Sequence, residues 1–333
     1  MTEMTAERLS VERLRRDLRA SAAELSAFGA RQLVDAYYTI QGYRIEADNN
    51  ALALKKDEEP HEFVEWLGGQ QGILEAEIQK VLSDYSLRSD AGRWLRSLTG
   101  IGPVIAAGLL AHIDIHRART AGQIWRFAGL DPTVTWERGQ KRPWNGRLKV
   151  LAWKAGESFT KQSGRPCLPG KAEQEGVQTR CVEGCMNYGH VYLSRKRRET
   201  DKNLNGDFAD QAAASLAGKR FGKDTDAIIW YSGRLTRDAA ERVLAAETAK
   251  KAALMRELAG EDGSGVPMLP PGRIHLRSQR YAVKLFLAHF HHVLYESELD
   301  GAPPFPYILE NPQADPTGAP HSRYLAPPNW PLG

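Results

Sequence analysis

Residues 95–106 read Leu-Arg-Ser-Leu-Thr-Gly-Ile-Gly-Pro-Val-Ile-Ala, and two glycines one residue apart ahead of a proline leave few folds open. A helix ending in Leu95 and Leu98 has to turn sharply there. Gly100 and Gly102 offer backbone conformations closed to other residues, and Ile101 between them plugs the core beneath the turn. Pro103 suits the first position of a new helix, where its missing N–H would have no partner anyway. Ala106 and Leu110 continue the buried face, the small alanine allowing close approach. The spacing predicts a helix-hairpin-helix whose amides from Gly100 through Val104 point outward at a helix N-terminus. Such a set of donors suits an anion, and a DNA phosphate in particular. It would hold the backbone without reading sequence. The plainer alternative is a tight glycine turn between two core helices.

The distribution of charge favours the first reading. The net charge is only +4, but residues 91–200 carry 19 Lys/Arg against 8 Asp/Glu. Residues 1–90 carry 11 against 17, and residues 201–333 carry 15 against 16. Positive charge confined to one third of a chain is the pattern of a polyanion-binding region flanked by scaffold. A solvated basic surface would look the same from charge alone. Within the basic third, Arg138, Lys141, Arg142, Arg147 and Lys149 follow the hairpin closely and extend the expected DNA grip. No apolar run reaches the roughly 18 residues of a membrane span, so no membrane partner is expected. The 3 cysteines cannot form a fully paired disulfide framework, and the N-terminus lacks an apolar signal stretch. Both features lead to the expectation of a cytoplasmic protein.

The expected fold is mainly α. Over residues 1–90, Leu14, Leu18, Ala22, Leu25 and Phe28 recur at helical steps, as do positions from Gln32 to Leu54 and from Phe63 to Leu82. The cluster from Lys55 to Pro60 breaks the pattern. This predicts a long helical hairpin or coiled-coil arm, closing either on itself or on a second copy. A homodimer through the arm is the preferred expectation, since a lone helix pair buries little apolar surface. Residues 91–165 form the helix-hairpin-helix domain, and 166–190 a Cys-containing insertion. Helical periodicity returns over 191–260, residues 261–272 read as a linker, and 273–333 as a C-terminal helix with a Pro-rich tail. Trp330, Tyr324 and Tyr307 suggest that the tail packs along the body.

After the hairpin comes Gly122-Gln123-Ile124-Trp125-Arg126-Phe127-Ala128-Gly129-Leu130-Asp131-Pro132. The hairpin with this phrase resembles the C-terminal half of the Piv-type, guide-RNA-associated insertion-sequence transposases, over roughly residues 60–165. The later run from Tyr281 to Leu287 is similar to a transposase subgroup. The resemblance implies DNA binding and coiled-coil assembly, with a role in DNA transposition or recombination. It also implies an N-terminal RuvC-like nuclease fold with four acidic residues, for which residues 1–90 offer no counterpart; Asp35, Glu46 and Asp48 read as solvated helix charges. The family's serine lies in a Ser-Gly dipeptide soon after the "GLDP" phrase. The dipeptide here is Arg138-Gly139, so the catalytic residues are unknown. Alternative readings are a recombinase or nuclease with relocated catalytic residues, Ser158 and Ser163 among the candidates, and a structured-RNA-binding protein, since the resembled family works with a guide RNA.

Other clusters have two readings each. Cys167, Cys181, Cys185 and His190 could complete a tetrahedral zinc site, or be unlinked thiols beside a histidine. Arg195-Lys196-Arg197-Arg198 is either a phosphate clamp or a solvated helix face. His112 and His116, four apart on an expected helix, offer half a metal site at most. His275, His289, His291 and His292, with Arg277, Arg280 and Lys284, are either a second phosphate-binding or catalytic cluster or the basic, solvated side of one helix, and the second reading is preferred.

Overall fold

The computed structural model describes residues 24–59, 61–165, 185, 187–218, 225–299, 301–304 and 327–332. Among the described residues the chain is mainly helical, with twelve helices and no strand. No helix among them is long and apolar enough to cross a membrane. Leu14, Leu18, Cys167, Cys181, Tyr307 and Tyr324 lie outside the described residues. The chain divides into two compact units, one of residues 1–158, 168–186 and 284–333, the other of residues 159–167 and 187–283.

The first unit begins with two long helices, α1 (Ala27–Lys56) and α2 (Glu62–Ser86), which pack on each other along their length. Ser26 starts α1 by accepting a hydrogen bond from the Gly29 amide, and Lys55 and Lys56 suit the negative end of its dipole. The distal seam is polar. Glu75 of α2 accepts hydrogen bonds from Tyr37 (3.0 Å), Gln41 (3.0 Å) and Arg44 (2.7 Å) of α1. A Lys55–Glu65 ion pair of 2.8 Å closes the far end. The proximal seam is apolar and shared with a third helix. Val34, Tyr37, Leu82, Val104, Ala107 and Leu151 form one cluster, so the base of the arm is built into the core. Arg31 adds a 2.7 Å hydrogen bond to the Ala111 carbonyl.

Three short helices follow: α3 (Asp90–Ser97), α4 (Pro103–His112) and α5 (Ala121–Phe127), then the longer α6 (Gly146–Gln162). Gly92 of α3 lies where a Cβ would meet the Ser86 carbonyl oxygen at 1.7 Å, so only glycine lets α3 fold back against the end of α2. The centre of this unit is Trp94, fully buried on α3. Its ring stacks on Phe286 and on Phe290, both at 6.3 Å between centroids. Its indole N–H donates to the Pro328 carbonyl at 2.7 Å. Phe286 and Phe290 belong to α12 (Pro271–Leu299), whose residues from Lys284 onward fall in this unit. Trp330 donates to Glu296 at 2.7 Å, so the described part of the tail, residues 327–332, does pack on the body.

The second unit contains α7 (Tyr188–Leu204), α8 (Ala209–Ala217), α9 (Asp226–Tyr231), α10 (Arg237–Ala245) and α11 (Lys251–Leu258), with the start of α12. Ile229, Trp230, Leu235, Val243, Met255 and Met268 make its main cluster. Asn203 brackets Leu269, donating to its carbonyl (2.9 Å) and accepting from its amide (2.8 Å). Met268 and Leu269 are buried, so the Gly/Pro stretch that reads as a spacer in the sequence runs into this core. The helical periodicity expected over 191–260 is divided among several helices, the first break falling at Gly206 with φ +86°.

His289 and His291 are buried, which corrects the expectation of a solvated basic side on α12. His116 lies beyond the end of α4, so it shares no helix face with His112.

Two consequences can be measured. Trp94→Ala should cost about 3–5 kcal/mol of stability in urea unfolding, the range for deleting a buried aromatic side chain. Burial, chiefly, holds both His112 and His291 below the ordinary histidine value, reinforced at His112 by Arg31 and Arg147 and at His291 by His292. Each therefore binds a proton more readily unfolded than folded, so stability should fall as pH drops through about 6.5. Calorimetry should show a lower melting temperature at about pH 5.5 than at about pH 7.5; an unchanged one counts against the burial of these rings.

Candidate nucleic-acid interface

The turn between α3 and α4 is built as its sequence demands, with two exceptions. Leu98 caps α3, and Gly100 follows at φ +91°, a conformation that L side chains rarely adopt. The Ile101 amide then donates to the Leu98 carbonyl at 3.2 Å and the Ile101 side chain is buried, so the expectation that the Ile101 amide is an outward donor is corrected: it is spent inside the turn. The second exception is Gly102. It is the N-cap of α4 at φ −84° and ψ 175°, extended backbone open to any residue. A Cβ added there meets nothing within 4 Å. The expectation that both glycines are needed for their backbone conformation therefore holds for Gly100 and is corrected for Gly102.

Glycine at this cap has a second effect. Ser26, His61, Ser89 and Thr120 cap α1, α2, α3 and α5 through their side chains. Asn145 does the same for α6, accepting from the Arg147 amide at 3.0 Å and the Leu148 amide at 3.1 Å. Among the described helices that start in the first unit, only α4 has no side-chain cap. Pro103 at its first position has no N–H, and the amides of Val104 and Ile105 lie in the first turn, which has no intrahelical acceptor.

The phrase from Phe127 to Pro132 proves to be a helix stop. Gly129 at φ +65° ends α5, with the Leu130 amide donating back to the Trp125 carbonyl at 2.8 Å. Asp131 accepts from the amide (2.9 Å) and hydroxyl (2.7 Å) of Thr133, and these bonds hold its carboxyl below the usual range. The segment that follows carries the expected cations, and Arg138, Lys141, Arg142, Arg147 and Lys149 are all exposed. Two tryptophans that the charge pattern alone did not single out organise it. Trp136 and Trp144 meet edge to face at 6.3 Å. Arg142 lies over Trp136 at 5.4 Å and Lys149 over Trp144 at 4.1 Å, so both cations rest on aromatic faces with their charge toward solvent. The interleaving of Trp with Lys and Arg over 136–149 was the available signal. Arg147 differs, since its Nη1 lies 2.7 Å from Asp35 Oδ2 of α1. Asp35 is thus an ion-pair partner and not the solvated charge its sequence context suggests.

Other sequence candidates are placed as follows. Ser158 donates to the Gly100 carbonyl at 2.6 Å and so braces the turn, while Ser163 donates to the Thr160 carbonyl at 2.7 Å. Arg195 pairs with Glu199 and lies over Tyr281 at 4.6 Å; Lys196 lies over Tyr192 at 5.8 Å. Of the possible zinc ligands only Cys185 and His190 fall within the described residues. His190 Nε2 is 2.7 Å from the Arg165 carbonyl and donates to it in the matching tautomer, which puts the lone pair on Nδ1. No group of three or more potential metal ligands occurs among the described residues.

Comparison with known proteins gives one result. Residues 92–149 match the Transposase IS116/IS110/IS902 family, a segment that begins in α3 and ends at Lys149. No curated protein and no solved structure matches the chain.

The two glycines of the turn should separate in a stability measurement. Gly100→Ala forces a side chain into a positive-φ position and should cost about 1–2 kcal/mol. Gly102→Ala meets open space in an ordinary conformation and should leave the melting temperature essentially unchanged. Equal losses from the two would contradict the turn geometry.

Proposed function

We propose that this chain is a DNA-binding protein of transposase type, with a role in DNA transposition or recombination. The observation that carries the reading is the match of residues 92–149, which spans the α3–α4 turn together with the cation-rich segment after it. In this reading α3, the turn and α4 are a helix-hairpin-helix. The amides of Val104 and Ile105 take a phosphate oxygen, and bare Gly102 lets the strand approach. Arg138, Lys141, Arg142, Arg147 and Lys149 extend the contact along the backbone. Contacts of this kind position a duplex without reading its bases. Two further parts of the proposal rest on less. Exposed Tyr43, Ile45, Leu52, Phe63 and Leu67 on the arm support assembly with a second copy. Cys167, Cys181, Cys185 and His190 would hold one zinc ion.

Binding should be similar for unrelated duplexes and should weaken with salt at a log–log slope of about −3 to −4, four or so phosphates being neutralised. Gly102→Val should lower duplex affinity several-fold in protein that stays folded. Lys141→Glu with Arg142→Glu should weaken binding and flatten the slope by about two. Salt-independent binding, or none at low salt, removes the proposal. Metal analysis of protein purified without chelator should give about one zinc per chain; none would assign the cysteines as thiols.

A further inference from the structure

A groove of about 810 Å³ opens on the first unit between α1, the end of α4 and the start of α6. Its size falls in the range of small-ligand sites. Val34, Val150 and Leu151 give it an apolar floor, and Val150 is 50% exposed, so apolar surface is left to solvent. Arg142, Arg147 and Lys154 stand around that floor, against Asp35 as the only acid among the described lining residues. An excess of cations beside an apolar surface calls for an anion that carries a flat apolar part.

The polar groups of the groove offer a ligand one carboxylate acceptor, at Asp35, beside the donors of His112 and Tyr38. Asp35 Oδ2 is buried and accepts no hydrogen bond, although Arg147 Nη1 lies 2.7 Å away, so that contact is an ion pair with its N–H out of line. His112 Nδ1 lies 3.4 Å from the Asn145 side-chain nitrogen and serves as its acceptor, which leaves the ring proton on Nε2. Tyr38, with Lys154 4.2 Å from its ring centroid, keeps its phenol protonated through burial. A base pair stacked in a duplex is walled in by its own two strands and cannot present a base and its phosphate to such a groove together. A nucleotide outside the stack can.

We infer that this groove takes a single unpaired nucleotide of a DNA strand, with the base against Val150 and Leu151, a base N–H on Asp35, and the phosphates on Arg142, Arg147 and Lys154. This rests on the DNA-binding reading above and adds to it a preference for distorted over fully paired DNA. The α3–α4 turn would hold the duplex, and the groove the nucleotide displaced from it.

Fluorescence anisotropy with three labelled duplexes of equal length tests this. One is fully paired, one carries a single unpaired nucleotide, and one carries an abasic unpaired position. The unpaired nucleotide should improve affinity about tenfold, through burial of one base face against aliphatic carbon, and the abasic duplex should fall back to the paired one. Val150→Asn, which changes no charge, should remove that preference while leaving affinity for the paired duplex unchanged, and Lys154→Met should weaken the preference, with circular dichroism confirming the fold. If the parent protein binds all three duplexes alike, or the abasic one as tightly as the unpaired base, the groove assignment falls and duplex binding stands. If it binds none of them, both fall together.

Discussion

A single buried indole connects the parts of the first unit that are far apart in sequence. Trp94 sits on α3, one turn before the glycine hairpin, yet its ring is stacked on Phe286 and Phe290 of α12. Its N–H is satisfied by the Pro328 carbonyl. A buried indole needs both an apolar slot and an acceptor, and here the slot comes from α12 and the acceptor from Pro328, 234 residues downstream in sequence. The position of α3 is fixed by that contact, and the turn after it is fixed in consequence. Gly92 and Leu98 on either side complete the seating, the first by close approach to α2 and the second by burial.

With α3 anchored, the turn satisfies part of its polar backbone internally, the Ile101 amide on the Leu98 carbonyl. Ser158 braces the Gly100 carbonyl from α6, so the strained residue is held by a hydrogen bond and not only by packing. Gly102, by contrast, accepts a hydrogen bond from the Ala106 amide at 3.0 Å through its carbonyl, but neither its backbone angles nor its surroundings demand glycine. A cap position where most neighbouring helices place Ser, Thr or Asn carries no side chain at all, which leaves the first-turn amides of α4 to whatever binds there. The cations that follow are arranged in the same spirit. Arg142 and Lys149 lie on tryptophan faces, where they keep their charge while losing little freedom on contact.

The arm shows how a polar seam can still specify a pairing. Glu75 gathers Tyr37, Gln41 and Arg44 at one point, and burial together with the Glu75 contact pushes the Tyr37 phenol up to about 12. Three donors on one carboxylate fix the register of α1 against α2 more narrowly than interchangeable leucines would. Periodicity over Phe63, Leu67 and Leu74 suggested a buried stripe, yet all three are exposed. Periodicity marks a helix face reliably, but not which partner covers it.

The sequence by itself determined the helical character of the chain, the break between α1 and α2, the start of α4 at Pro103 and the turn at Gly100. These follow from local causes: apolar spacing, a proline at a first helical position, and a backbone angle that only glycine adopts easily. It also placed the exposed cations from Arg138 to Lys149, because charged side chains without partners in sequence stay in water. Only the tertiary structure decided that Asp35 meets Arg147, that Trp136 and Trp144 carry cations, and that His289 and His291 are buried. Those facts depend on which helix faces meet, and Trp94 with its distant phenylalanines sets that. Gly102 belongs to the same class: sequence pairs it with Gly100, and only the backbone angles of the fold show that one glycine makes the turn while the other leaves room outside it.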